Sequence, residues 1–278
     1  MITSKDHMTF GEALRRLEDD RRPTTRDLSS ESNSRSMHWD LNTGFGEAVS
    51  LAKWGWPEKR EDIQRYFGEV QRLVDQQVRM RLDVAGEAVD VGAFLEGEPE
   101  CMLSYQAPEM RSLKVIVNLS ARFDSDARTL LNRGIAVASL VYALQSSGVG
   151  VSLAVGEWVH DGRRSIHETI VEVNQYSEYI DPGRLAFWIA HPAALRRCIF
   201  RYQEQRSPEV RERFGFQEGG GYGKPVDPDT SRFKEEGTVF IPYPDPNALE
   251  LYETPEKAFD TVRKIAAKQG VHLGTRHL

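Results

Sequence analysis

The segment from Ser112 to Val159 constrains this chain more than any other. An apolar run at 113–117 leads into the polar turn Asn118-Leu119-Ser120-Ala121-Arg122. A long apolar stretch at about 127–145 follows, then Gly148 and a second apolar run at 149–155. Short continuous apolar runs suit buried strands, and the longer stretch suits a helix. Two buried strands joined by one helix predict a right-handed βαβ unit. Open α/β sheets bind ligands at the carboxyl ends of their strands, which here means the turn 118–122.

The chain beyond this unit keeps alternating. Residues 151–159 meet 166–173 across His160-Asp161-Gly162-Arg163, and Asp-Gly is a hairpin signal. The second of these strands is expected to return antiparallel at a sheet edge. Residues 185–190 read as a further buried strand, and Pro192 opens a helix to about 205. Residues 238–241 are the last strand. The last helix, 254–269, carries Thr254 as its cap and stops at Gly270. The expected fold is α/β, a mostly parallel Rossmann-like sheet with one antiparallel edge strand.

An N-terminal elaboration precedes it. Phe10, Leu14 and Leu17 mark two helical turns, and the polar stretch 18–36 reads as a flexible arm. Residues 46–54 suit a short helix. Residues 61–82 suit an amphipathic one lined by Ile63, Phe67, Val70, Val74 and Val78. Residues 88–94 and 101–105 read as short strands. The expected organisation is 1–38 helix and arm, 39–110 helical and hairpin elaboration, and 111–278 α/β domain.

Composition narrows the function classes. A formal net charge of −6 over 278 residues argues against a generic polyanion binder. Cys101 and Cys198 sit in apolar surroundings, without CxxC spacing, and read as reduced buried thiols. The N-terminus lacks an apolar signal core, and no apolar run reaches membrane-span length. A soluble, cytoplasmic protein with no membrane contact is expected.

The order of strand, turn, long helix, strand and antiparallel return resembles von Willebrand factor A-like domains over about 112–278. In that family an Asp-x-Ser-x-Ser turn after the first strand holds a divalent cation. Here the matching turn keeps only Ser120. Asn118 replaces the carboxylate, Arg122 stands where a hydroxyl is needed, and Ile189-Ala190-His191 occupies the place of a later aspartate. The resemblance therefore implies a degenerate site with no metal, and no cofactor is expected. The segment Val89-Asp90-Val91-Gly92-Ala93-Phe94-Leu95-Glu96-Gly97-Glu98-Pro99-Glu100-Cys101-Met102 and the triplet Asn132-Arg133-Gly134 also resemble uncharacterised tailed-bacteriophage proteins. That likeness implies a phage-encoded protein in the host cytoplasm.

Asn118, Ser120, Arg122 and His191 form the candidate binding site, where Arg122 and His191 would accept a carboxylate or phosphate. The competing reading has Asn118 and Ser120 merely capping the turn. Glu157, His160, Asp161, His167 and Glu168 surround a predicted hairpin and are expected in solvent. The glycine-rich loop 215–224 is no P-loop, since Glu218 stands where glycine is needed and Pro225 follows Lys224. It reads as a mobile lid or partner-contact segment.

Arg196, Arg197, Arg201 and Arg206 line a helix whose basic face is expected in solvent, with nucleic-acid backbone contact as its alternative use. No activated nucleophile is visible. The leading expectation is a non-enzymatic interaction or scaffold protein that binds a protein partner at the sheet edge, with homo-oligomers allowed. A nucleic-acid-binding accessory protein and a divergent hydrolase are the alternatives.

Overall fold

The protein is described by a computed structural model over residues 2–19, 39–59, 61, 80–84, 88–105, 112–122, 125–146, 149–176, 178, 181–217, 221–233 and 237–271. Nine strands are described: β1 (Ile2–Thr9), β2 (Met80–Asp83), β3 (Ala88–Val89), β4 (Met102–Tyr105), β5 (Ser112–Asn118), β6 (Gly150–His160), β7 (Ile166–Asn174), β8 (Lys224–Pro225) and β9 (Thr238–Ile241). Between them run α1 (Phe10–Glu18), α2 (Phe45–Trp54), α3 (Val91–Leu95) and α4 (Ala127–Ser146). Helix α5 (Pro182–Leu185) widens into π-type turns over Ala186–Ala190. Helix α6 begins with π-type turns over Ala194–Ile199 and continues through Phe200–Glu204. Helices α7 (Pro208–Phe214) and α8 (Pro255–Lys268) complete the described set.

The main sheet has the order β1-β7-β6-β5-β9, with β8 added to the end of β6. Pairings β1/β7, β6/β5 and β5/β9 are parallel, while β6/β7 and the short β6/β8 pair are antiparallel. This is a Rossmann-like α/β fold with a mixed, mostly parallel sheet, and β5 lies in its interior. Strands β2, β4 and β3 make a separate small antiparallel sheet.

Alternation along the strands separates two faces. Val115 and Val117, Val151, Leu153 and Val155, and Val171 and Val173 meet the helices in one core, against Val137, Val141, Phe187, Ile199 and Val262. The opposite face carries Ile116, Ala154, Trp158, Ile170 and Phe240, packed by Val226 and Phe233 from the loop before β9.

Four sequence expectations need correction. Residues 2–9 form β1 on the outer side of β7, so the antiparallel strand is covered and the N-terminus belongs to the main sheet. From residue 4 onward only Met8 of β1 enters the core, while Asp6 pairs with Arg16 at 2.9 Å, so the strand has little apolar pattern to read. Residues 185–190 are helical. Asp181 accepts from the Arg184 amide at 3.1 Å and Pro182 opens the first turn, and a run buried on every side carries no period. Residues 91–95 are also helical, because the Asp90 side chain caps the Ala93 amide at 3.0 Å. The amphipathic helix expected over 61–82 gives way to β2 from Met80, and its stretch 62–79 lies outside the described residues. So does most of the arm, 20–38.

The triplet Asn132, Arg133 and Gly134 on α4 fastens the carboxyl edge of the sheet. Asn132 Nδ2 donates to the carbonyls of Tyr252 and Glu253 at 3.0 and 2.9 Å. Arg133 Nη2 donates to the carbonyls of Asn118 (3.0 Å), Ile241 (3.4 Å) and Pro242, joining the ends of β5 and β9. Gly134 lets α4 abut α5, since a Cβ there would stand 2.1 Å from Ala190 Cα and 2.6 Å from the Ile189 carbonyl oxygen. Among the described residues no helix is long and apolar enough to cross a membrane.

Gly134→Ala should therefore destabilise the fold by about 2–3 kcal/mol, the upper part of the overpacking range, because backbone cannot yield. Gly46→Ala on α2, where nothing lies within 4 Å, should be neutral or stabilising by up to ~1 kcal/mol. Urea midpoints for the two variants check both signs.

Candidate functional site

The strand that follows β5 in the chain lies on one side of it, and β9 lies on the other. Their carboxyl ends therefore open a crevice at the point where the connections diverge. A cleft of about 760 Å³ occupies this place. Ala121 and Arg122 enter it from the end of β5, and Tyr243, Asp245, Pro246 and Asn247 from the end of β9. Glu157 and His160 come from β6, Phe200 from α6, and Trp39 from the N-terminal segment. The remaining wall is the stretch from Gly221 to Pro225. That size suits a small molecule or a short peptide segment.

The glycine-rich wall is pinned where it is described. Gly221, Tyr222 and Gly223 have successive positive φ values of 83°, 51° and 74°. A tyrosine in that region costs on the order of 1–2 kcal/mol. Its ring stacks on Phe200 with centroids 4.0 Å apart, and its hydroxyl donates to Glu204 Oε1 at 2.5 Å. Gly223 has no room for a side chain, since a Cβ would meet Val159 Cβ at 2.7 Å. Lys224 and Pro225 then pair with His160 and Val159. The loop expected to be mobile is thus, over 221–225, a fixed wall; residues 218–220 lie outside the described residues.

The four residues singled out from sequence do not form one site. Asn118 is buried, with Oδ1 accepting from the Ser120 amide at 3.0 Å and Nδ2 donating to Val226 O and Asp227 Oδ1 at 3.1 and 2.8 Å. Ser120 Oγ donates to Trp158 O and accepts from Trp158 N, at 3.2 and 3.1 Å. Both side chains hold backbone in place. His191 is buried elsewhere, its ring 4.4 Å from that of Trp56, and its Nδ1 accepts from the Ala193 amide at 3.1 Å. Only Arg122 lines the cleft.

The arginine face is corrected too. Arg196, Arg197 and Arg201 are each no more than 2% exposed, because α6 packs this side inward. Arg196 lies 3.6 Å over the Trp39 ring and donates to Trp39 O. Arg197 pairs with buried Asp40 and donates to Thr43 O at 3.1 Å. Arg201 lies over Phe45 and faces Glu204. Arg206 bonds Lys5 O and Asp6. These side chains fasten the N-terminal segment to α6, so a phosphate backbone cannot reach the first three.

Two hairpin-flanking acids expected in solvent are also inside. Glu168 accepts from His7 at 2.6 Å, from both Arg232 amino groups and from Trp158. Burial alone would raise its pKa, but hydrogen bonds from His7, Arg232 and Trp158 together hold it at about 2. Glu157 differs. Burial lifts it to about 8 against the hydrogen bond from Gln203. Its inward position was readable, because Val155, Glu157 and Val159 share one face of a strand. Among the described residues no group of three or more His, Cys, Asp or Glu side chains is placed to hold a metal.

The chain belongs to the DUF7192 family. Residues 8–272 match that family, described as Domain of unknown function (DUF7192), so α1 to α8 fall within one family unit. No curated protein and no solved structure matches the chain. The family carries no assigned activity, and the cleft geometry is what remains to argue from.

Three buried groups predict how stability responds to pH. His167 and His191 are lowered from 6.5 to about 4, both by burial. Between those values the unfolded chain binds their protons and the folded one does not, so stability is lost as pH falls. Glu157, raised from 4.5 to about 8, acts in the opposite sense, and its contribution is lost as pH rises through 8. Two rising terms against one falling term leave a net rise up to pH ~6.5, and the Glu157 term alone then gives a decline towards pH ~8. Thermal melts should thus peak near pH ~6.5, and Glu157→Gln should abolish the alkaline decline.

Proposed function

We propose that this protein is a non-enzymatic interaction domain, von Willebrand A-like in its element order, which binds a protein partner at the carboxyl edge of its sheet. The carrying observation is the cleft between the ends of β5 and β9, preformed by fixed walls at the switch point. Arg122 stays in the site, and Lys224 on the glycine-rich wall joins it at the rim. The two cations suit an acidic group on the partner. His191 has no part in this revised site, and Asn118 and Ser120 serve it only by shaping the turn.

A second reading has one observation in its favour. Two carboxyls, Glu157 and Asp245, line the same cleft, and the first is held neutral, which is what a hydrolase needs in a general acid. Turnover of nitrophenyl esters, phosphates or glycosides that vanishes in Glu157→Gln would establish it over the binding reading.

The binding reading is tested by photocrosslinking from position 247 at the cleft rim. A partner adduct should form, and Arg122→Glu with Lys224→Glu should cut its yield roughly tenfold by reversing the local field. Lys268→Glu, exposed at the end of α8, should leave it unchanged. Equal yields from all three proteins would remove the site assignment.

A further inference from the structure

We infer that Glu157 is the specificity-determining group of the cleft, donating a hydrogen bond from a neutral carboxyl to an acceptor oxygen on an aromatic anion bound there. This rests on the cleft being a binding site and adds the chemistry of what enters it.

The geometry comes first. Glu157 is 3% exposed and lines the cleft. Its Oε2 accepts from Gln203 Nε2, and its Oε1 accepts from no described residue. Gln203 Oε1 is itself buried without a partner, so it is a second acceptor, besides a ligand in the cleft, for a proton on Glu157. An ionised carboxylate in this wall would keep most of its acceptor capacity unmet, which is costly away from water. Burial accordingly keeps the proton on Glu157 at neutral pH. With one oxygen already engaged as acceptor, a neutral carboxyl has a single O–H, and a ligand oxygen in the cleft competes with Gln203 Oε1 for it.

The surroundings select the ligand. Arg122 and Lys224 stand at the rim, and buried Arg196 lies behind Trp39. Against them the lining supplies one other carboxylate, Asp245, so the local field favours an anion. Trp39, Phe200, Tyr222 and Tyr243 supply flat apolar walls for a ring. The elements packed against Glu157 carry His160 on its own strand, His167 on β7 beside Thr169, Arg201 and Glu204 on α6 with Gln203, and Lys224 on the glycine-rich wall. None of them sets its proton affinity; burial and Gln203 do.

An aromatic carboxylate can be a free small molecule or the last residue of a partner chain, and the test separates the two. Calorimetry on the full chain uses N-acetyl-phenylalanine, its uncharged amide and a pentapeptide ending in phenylalanine. The acid should bind, and the amide should bind about tenfold more weakly. A tighter pentapeptide points to a chain end, and a weaker one to a free acid. Between about pH 7 and about pH 9 affinity for the acid should fall roughly tenfold, as Glu157 loses its proton and repels the anion. Glu157→Gln keeps the Gln203 contact and a permanent donor, so its affinity should stay within a few-fold and lose the pH dependence. Glu157→Ala should bind weakly at both values. An unchanged pH slope in Glu157→Gln, or no binding of acid or pentapeptide by the folded protein, overturns the inference. An intact crosslink from position 247 in that case leaves the docking site standing and sinks only the role of Glu157.

Discussion

Arg133 joins the two strand ends between which the cleft opens, and it does so from inside the protein. Its guanidinium reaches the carbonyls that close β5 and β9, on opposite sides of the crevice. Burial lowers its pKa, opposed by the nearby Tyr252 and Asp227 side chains. A buried cation is expensive unless its donors find acceptors, and carbonyls at strand ends need donors that no neighbouring strand supplies. The Nη2 group and the strand-end carbonyls meet part of each other's need. Asn132 and Gly134 extend the same fastening to the lead-in of α8 and to the flank of α5.

The same economy recurs around the cleft. Charges that would ordinarily face water are turned inward, where they hold irregular backbone. Arg196 and Arg197 grip the turn at Trp39 and Thr43, within which Leu41 and Asn42 have positive φ values of 57° and 60°. Tyr222 takes a left-handed conformation and is held there by Phe200 and Glu204. Local backbone strain persists only when its surroundings over-determine it, and such positions concentrate at functional sites. Both strained turns here border the cleft. A wall built this way is set before a ligand arrives, which lowers the ordering cost of binding.

Within this frame Glu157 stands apart from the other buried charges. Asp40 has Arg197, Glu168 has Arg232 and His7, and Glu204 has Arg201 and Tyr222. Glu157 has only an amide among the described residues, and it faces the cleft. An acid left without a cation is pushed towards its neutral form by burial, and a neutral acid is a hydrogen-bond donor. The predicted hairpin placed Glu157 in solvent, whereas the alternation from Val151 to Val159 carries the signal that it faces inward. What stood behind it depended on Gln203, distant in sequence.

Local apolar pattern determined β5, α4, β6, β7, β9 and α8, because each presents a run or period that survives without knowledge of its neighbours. It also determined that the turn after β5 would lie at a carboxyl edge. Tertiary structure alone decided the rest. The polar strand β1 exists through pairing with β7 and sends Met8 into the core. The segment 185–190 is buried all round, and its cap at Asp181 made it helix rather than strand. Whether an arginine meets solvent or a carbonyl, and whether a glutamate keeps its proton, depends on which distant segment packs against it. Spacing along a chain carries no record of that, because burial and partner are properties of the assembled layers.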